Sequence, residues 1–167
     1  MPSPEGTSLE ERNKTVIRSF IEEIFNEHNL LSIEKYFGKE SVEGSRQAGK
    51  GGEGFKQFLT DFFKAFPDMH TTIEHMVAEN NLVVAFLNGS GTHKGEFRGI
   101  PPTNKPVNIR SADLYEIENE IITGHWDVVD QLNLLKQTGV LLSEVVNKEF
   151  KDAKGVWIHD YEESEVS

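Results

Sequence analysis

The sequence of 167 residues contains no cysteine. That absence excludes disulfide bonds, thiolate metal ligands and cysteine nucleophiles. No apolar run approaches the roughly 18 residues that would suggest a membrane span. The first residues are polar and acidic, without the basic start and apolar stretch that are typical of a secretory signal. We therefore expect a soluble protein of the cytoplasm, which does not enter a membrane.

Basic residues are also scarce, since 17 lysines and arginines face 28 acidic residues and the net charge is −11. Nucleic-acid binding depends on basic side chains that neutralise phosphates, so this balance argues against nucleic acid as the main partner. The histidines do not have the spacing of metal ligands either. His70 and His75 are five residues apart, and neither H-x-x-x-H nor H-x-H occurs in the sequence. A G-x-S-x-G nucleophile motif is absent. We expect no metal site and no covalent hydrolase chemistry.

Two helices are indicated in the first half of the chain. Ser8 and Glu11 have the spacing of a capping box, and an apolar stripe at helical spacing follows them. A second stripe, rich in phenylalanine, runs from Phe55 to Phe66 and ends at Pro67, which cannot continue a helix. Its rings favour a packed core and could also line a cavity. The glycine-rich segment at residues 45–52 does not fit a phosphate-binding loop and is interpreted as a connection or a pocket lid.

After Pro67 the pattern changes to strands. We predict strands at residues 71–78, 82–87, 107–117 and 121–129, and a last helix at residues 131–138. Short turns between successive strands require antiparallel pairing. Gly89 and Gly91 suggest a bulge or bend. The chain is therefore predicted to be an α+β domain over residues 8–139, with helices on one face of an antiparallel sheet. Residues 140–167 are predicted to be a C-terminal extension with an acidic end, either a further helix and possible strand or a partly ordered tail.

Four segments in order resemble the SnoaL-like family, which includes polyketide cyclases and predicted ester cyclases. They are F-P-D at residues 66–68, G-T-H-K-G-E-F at 91–97, G-I-P-P-T at 99–103 and H-W-D-V-V-D-Q-L at 125–132. The resemblance covers about residues 10–139. It implies the cone of the nuclear-transport-factor-like fold: a strongly curved antiparallel sheet wrapped around the N-terminal helices, with a pocket at its open end. It also implies a homodimer through the outer sheet surface.

The resemblance implies a chemistry as well, namely ring closure by an intramolecular aldol step without metal or organic cofactor. One aspartate in an apolar pocket can act as base and acid, because burial raises the pKa of a carboxyl group towards the working pH. The matching position is Asp130. Asp130 also directly precedes the last helix, so it could simply be the N-cap. The implied ligand is a small apolar carbonyl compound.

Strand alternation sorts the remaining candidates. On the strand at residues 121–129 the even face is the more apolar, so we expect Trp126 and Asp130 inside the pocket. His125 and Asp127 would then lie outside or at a dimer contact, and they remain secondary ligand-binding candidates. A bulge would reverse this assignment.

The preceding strand and the loop before it add three candidates. The odd face at residues 107–115 is the more apolar, which makes Asp113 a candidate buried carboxyl group near Asp130, with Tyr115 on the same face. His93 is a further candidate for ligand binding, although a lone histidine is more often structural.

Three functions remain open from the sequence. The first is a cofactor-free cyclase or isomerase. The second is epoxide hydrolysis, which similar cone folds perform with an Arg-x-Asp pair on one strand and a later aspartate. Arg110 and Asp113 are three residues apart and point to opposite faces, which counts against it. The third is a binding or dimerisation module without catalysis. Gly44 favours this third function, because family members often carry a polar side chain at the matching position.

Overall fold

The computed structural model describes residues 8–43 and 51–139, which form helices packed on one sheet. The chain order is α1 (Leu9–Phe20) with a π-helical turn (Ile21–Asn26), a 3₁₀ turn (Leu30–Ser32), α2 (Ile33–Tyr36), β1 (Phe37–Glu43), α3 (Gly51–Ala65), β2 (His70–Glu79), β3 (Leu82–Thr92), β4 (Pro106–Glu118), β5 (Ile121–Val129) and α4 (Gln131–Thr138). Among these residues no helix has both the length and the apolar character needed to cross a bilayer.

The helix ends follow the local signals in the sequence. Ser8 Oγ accepts a hydrogen bond from the backbone N–H of Glu11 at 3.2 Å, as an N-cap does. The α3 helix ends at Ala65, two residues before Pro67. Gly139 follows α4 with a φ of +83°, the left-handed conformation that favours glycine at a helix end. The start of α3 differs from prediction, since Gly51 and Gly52 belong to the helix rather than to a loop.

The sheet has the order β1-β5-β4-β3-β2. The strands β2 to β5 form the predicted antiparallel meander, and two-residue turns at Asn80-Asn81 and Asn119-Glu120 connect two of its pairs. β1 was not predicted as a strand and pairs parallel to β5, so the sheet as a whole is mixed. Register shifts interrupt β2 opposite β3 and β5 opposite β4, and such bulges bend strands.

Of the two alternatives predicted for the glycines of β3, a bulge or a bend, the structure excludes a bulge in the pairing with β4. Pairing between β3 and β4 is regular from Leu82 to Thr92. Close approach of Met69 explains them instead: a Cβ on Gly89 would lie 3.0 Å from Met69 Sδ, and one on Gly91 would lie 3.2 Å from Met69 Cα. The absence of a side chain therefore lets the segment after α3 pack directly onto the strand.

The main hydrophobic core lies between the helices and one face of the sheet. Phe20 is fully buried at its centre and packs edge-on against Tyr36, Phe37 and Tyr115. A second cluster lies at the end of α3, around Phe66 and Leu134. The core therefore covers one side of the sheet, which we call the inner face.

The opposite, outer face carries apolar side chains that are exposed or half-buried. These side chains lie side by side because they occupy paired positions on the four strands β2, β3, β4 and β5. We call this set the outer apolar band: Val77, Val84, Phe86, Leu114, Trp126 and Val128. Gly44 and the predicted C-terminal extension lie outside the described residues.

Candidate functional site

The alternation of β5 reverses at a bulge, so the predicted inner side of this strand is wrong. Ile117 pairs with Ile122, whereas Glu116 pairs with Gly124, which leaves Thr123 as an extra residue. Ile122 is buried in the core, and beyond the bulge the odd residues point inward: His125 is only 1% exposed, whereas Trp126 is 37% exposed. The bulge thus exchanges the two faces that the sequence suggested.

A buried polar cluster forms where β4 and β5 face the helices. Asp113 is 5% exposed, and its Oδ2 accepts a hydrogen bond from the Tyr115 hydroxyl at 3.2 Å. His125 Nε2 lies 3.1 Å from the same oxygen. The other carboxyl oxygen, Oδ1, has no hydrogen-bond partner among the described residues. Asp113 is therefore held by one oxygen and keeps the second available to a ligand.

Aromatic rings fix the orientation of His125. Its imidazole stacks on the Tyr115 ring, with centroids 4.8 Å apart and planes inclined by 12°. The Phe55 ring of α3 packs against it edge-on at 5.2 Å. Tyr115 and His125 are also directly opposed register partners on β4 and β5. Packing from both sides thus holds the imidazole against the carboxyl group.

The cluster borders a small, partly open cavity of about 80 Å³, which we call the internal cavity because it lies between α3 and the inner face of the sheet. Phe58 and Phe62 of α3 and Leu87 of β3 contribute to an apolar lining, which answers the open question about the phenylalanine stripe: its rings both fill the core and line a cavity. Asp127 also lines the cavity and is the register partner of Asp113. The carboxylate neighbour of Asp113 is therefore Asp127, not Asp130 as the sequence suggested.

Asp130 and Trp126 lie outside this cavity. Asp130 is exposed and caps α4, because its Oδ1 accepts the backbone N–H of Asn133 at 3.0 Å. Trp126 lies on the outer face, where its ring covers Gly124. The N-cap interpretation of Asp130 is confirmed, and the expectation that Asp130 and Trp126 share the pocket is wrong because of the bulge.

His93 is fully buried but belongs to the second hydrophobic cluster rather than to the cavity. Its Nδ1 lies 3.1 Å from Thr103 Oγ1, and its ring stacks on Phe66 at 5.3 Å. Nε2 has no hydrogen-bond partner within the described residues. Burial lowers the pKa of His93, since the charged imidazolium is poorly solvated there. The position fits a structural histidine that joins the loop after β3 to the end of α3.

The arrangement is suited to proton transfer. A buried carboxyl group that lines a largely apolar cavity can take a proton from a bound molecule, and its Oδ2 is steadied by Tyr115 and His125. In the described part of the chain, no group of three or more histidine, aspartate or glutamate side chains is arranged to hold a metal ion.

The comparison with protein families matches most of the chain. A model described as a SnoaL-like polyketide cyclase covers residues 15–138. No curated protein matches the chain in sequence.

Solved structures with the same fold cover about three quarters of the chain and nearly all of their own length. AclR from Streptomyces galilaeus, provisionally named a hydroxylase, is 25% identical with a TM-score of 0.70 over 77% of this chain and 96% of its own. IdmH from Streptomyces antibioticus, provisionally named a polyketide cyclase, is 26% identical with a TM-score of 0.69 over 77% of this chain and 99% of its own. The SnoaL-like polyketide cyclase from Agrobacterium tumefaciens has a TM-score of 0.64 at 18% identity, over 75% of this chain and 96% of its own.

Proposed function

The chain belongs to the SnoaL-like polyketide cyclase family, and on that premise we propose that it is a cofactor-free acid–base enzyme acting on a small carbonyl compound. In this proposal Asp113 is the base, and His125 with Tyr115 positions it. The reaction is an aldol-type cyclisation or an isomerisation.

The proton transfers follow from the position of Asp113. Its Oδ1 removes a proton from the carbon next to a carbonyl group, and the electron pair of that C–H bond becomes an enolate. In a cyclisation the enolate carbon bonds to a second carbonyl carbon of the same molecule. The proton on Asp113 then passes to the resulting alkoxide, so one carboxyl group serves first as base and then as acid. In an isomerisation the proton returns to a different atom of the enolate.

One observation carries this proposal: Asp113 Oδ1 is buried, lies at an apolar cavity and has no hydrogen-bond partner among the described residues. An unpaired buried polar atom costs free energy, on the order of 1–3 kcal/mol. A catalytic role is one of the explanations for such an atom, and the position of Asp113 beside a cavity distinguishes it from the unpaired Nε2 of His93. A bound carbonyl compound with an acidic C–H group would supply the missing contact.

The test is proton exchange on a small dicarbonyl compound. Acetoacetamide in D₂O is followed by ¹H NMR, and the protein is expected to speed the loss of its methylene signal. Asp113→Asn should slow that catalysed exchange by about 10²–10⁴-fold, the range typical of a lost general base. Thermal unfolding of the variant serves as the folding control. Equal rates with wild type and variant would overturn the proposed base.

A binding module without catalysis is the alternative from a different class of function. It predicts that acetoacetamide shifts the NMR signals of the residues around the cavity while the exchange rate stays at its value without protein. Epoxide hydrolysis has less support, because Arg110 is exposed and pairs with Glu74 at 2.7 Å, whereas Asp113 points into the cavity.

A homodimer through the outer apolar band is the second part of the proposal. Val77, Val84, Leu114 and Trp126 are successive register partners across β2, β3, β4 and β5 and form one apolar row. Val77 and Trp126 are exposed and the two residues between them are half-buried, and an apolar patch of this kind is a candidate association site. The predicted cytoplasmic location and the predicted lack of a cofactor remain predictions.

A further inference from the structure

Close to the internal cavity lies a much larger open groove, which we call the outer groove. It has a volume of about 610 Å³ and is lined by α3 residues between Gly54 and Lys64 and by loop residues 96–98. The internal cavity, at about 80 Å³, is far below the roughly 300–1,000 Å³ of sites that enclose a drug-sized ligand. A substrate larger than a few atoms therefore needs space beyond the cavity.

Phe58 is common to the two spaces, because it lines both of them. It is half-buried at the boundary between the buried and exposed faces of α3. Phe62 lines the cavity, stacks on Phe58 at 5.8 Å and packs edge-on against Phe97 of the groove at 5.9 Å. The cavity that Asp113 lines and the outer groove therefore adjoin each other at Phe58 and Phe62.

The groove presents mixed chemistry with balanced charge. Its acidic side chains are Asp61 and Glu96, and its basic ones are Lys64 and Arg98. Lys64 Nζ lies 2.8 Å from Asp61 Oδ1. The guanidinium of Arg98 lies over the Phe97 ring at 5.3 Å. Such a surface offers hydrogen-bond donors and acceptors beside aromatic faces without a net charge.

From these observations, and resting on the proposed function, we infer that the outer groove is a second subsite for the same substrate. The substrate is then a two-part molecule: a small carbonyl head that reaches Asp113 in the cavity, and an uncharged polar tail with hydroxyl or amide groups that lies in the groove. Phe58 contacts the junction between the two parts.

The test compares three probes that share one head: acetoacetamide, N-(2-hydroxyethyl)acetoacetamide and N-(carboxymethyl)acetoacetamide. The kcat/KM for deuterium exchange is measured for each. We expect the hydroxyethyl tail to raise it about tenfold over acetoacetamide, the size expected from one or two neutral hydrogen bonds. Equal values for these two probes, or a larger advantage for the carboxylate tail, would overturn the neutral-tail subsite while leaving the proposed base intact.

A second experiment uses a variant in which a large side chain fills the outer groove. Gln57→Trp places a large ring at an exposed position of α3, and the advantage of the hydroxyethyl probe should fall to less than about threefold. Arg18→Trp, an equally large change at an exposed position of α1, should retain the wild-type ratio. Loss of the advantage in both variants, or in neither, would contradict the subsite.

Binding is measured independently of turnover by ¹H–¹⁵N NMR titration with the same probes. The hydroxyethyl probe should shift the amide signals of Gln57, Asp61 and Phe97, and acetoacetamide should not. If these shifts occur without any catalysed exchange, the subsite stands and the proposed base fails. If no probe shifts these signals, the subsite is refuted.

Discussion

His125 and Trp126 are consecutive residues of β5 with opposite surroundings. His125 is buried on the inner face, against a carboxyl group and two aromatic rings. Trp126 is partly exposed on the outer face, within a band of other apolar side chains. The inner face thus buries polar groups, and the outer face exposes apolar ones.

Each face departs from the usual distribution of residues in a globular protein. Burying Asp113 and His125 costs desolvation, and exposing Val128, which is 76% accessible, forgoes hydrophobic stabilisation. Both costs are understandable if the inner face binds and converts a ligand and the outer face binds a second copy of the chain. In the proposed function, the inner face carries the chemistry and the outer face carries the association.

Among the variants that test this difference between the two faces, we expect the largest effect from a change on the inner face. His125→Ala removes a side chain that holds Asp113 Oδ2, and we expect the catalysed exchange of acetoacetamide to fall about 100-fold. His125→Gln keeps a side-chain donor and should retain more activity than the alanine variant. Deuterium incorporation followed by ¹H NMR measures both. Wild-type activity in His125→Ala would contradict the proposal that His125 positions Asp113.

A second, smaller effect is expected on the outer face. Trp126→Asp places a charge in the outer apolar band, and the dissociation constant of the homodimer should rise about 30-fold or more, as for an aromatic hot spot. Sedimentation velocity over a concentration series measures it. Leu31→Asp is the matched control, because Leu31 is an exposed apolar residue near the N-terminal helices, 86% accessible. Equal dissociation constants for the two variants would show that the band is not the interface.

The smallest expected effect concerns His93, a buried polar side chain to which we assign a structural role rather than a catalytic one. Burial lowers the pKa of His93 below its usual value of 6.5, so the unfolded chain takes up a proton before the folded protein does. The neutral His93 side chain therefore contributes to the free energy of unfolding in full above about pH 6.5. That contribution is lost as the pH falls towards the lowered pKa of His93. We expect the Tm to drop between pH 7.5 and 5.5, and to drop less in His93→Gln. Differential scanning calorimetry measures this, and identical slopes would contradict the interpretation of His93 as a buried neutral side chain.

Much of the fold could be predicted from local signals. The α3 helix follows from a phenylalanine stripe with Pro67 behind it, and the turn at Asn119-Glu120 separates two strands that pair as expected. β1 could not be predicted in the same way. Its pairing with β5 joins residues about 80 positions apart, and such long-range parallel pairing leaves no periodic pattern in the sequence.

The residues that β4 contributes to the site could be predicted from the sequence, whereas those of β5 could not, because of one extra residue in β5. Asp113 and Tyr115 were assigned to the inner face of β4 from alternation, and the structure places both there. In a regular hairpin from the same turn, Asp113 would face Trp126. The extra residue Thr123 shifts the register by one, so that Asp113 faces Asp127 and Tyr115 faces His125. Gly124, over which the Trp126 ring lies, is the only local hint of this irregularity.

The most direct test compares two aspartates in the exchange of acetoacetamide. Asp113 lies in the cavity, whereas Asp130 caps a helix at the surface. We predict that Asp113→Asn loses at least about 100-fold of the catalysed rate, and that Asp130→Asn retains most of it and loses at most about 1 kcal/mol of stability. Loss of exchange in Asp130→Asn together with wild-type rates in Asp113→Asn would contradict the account.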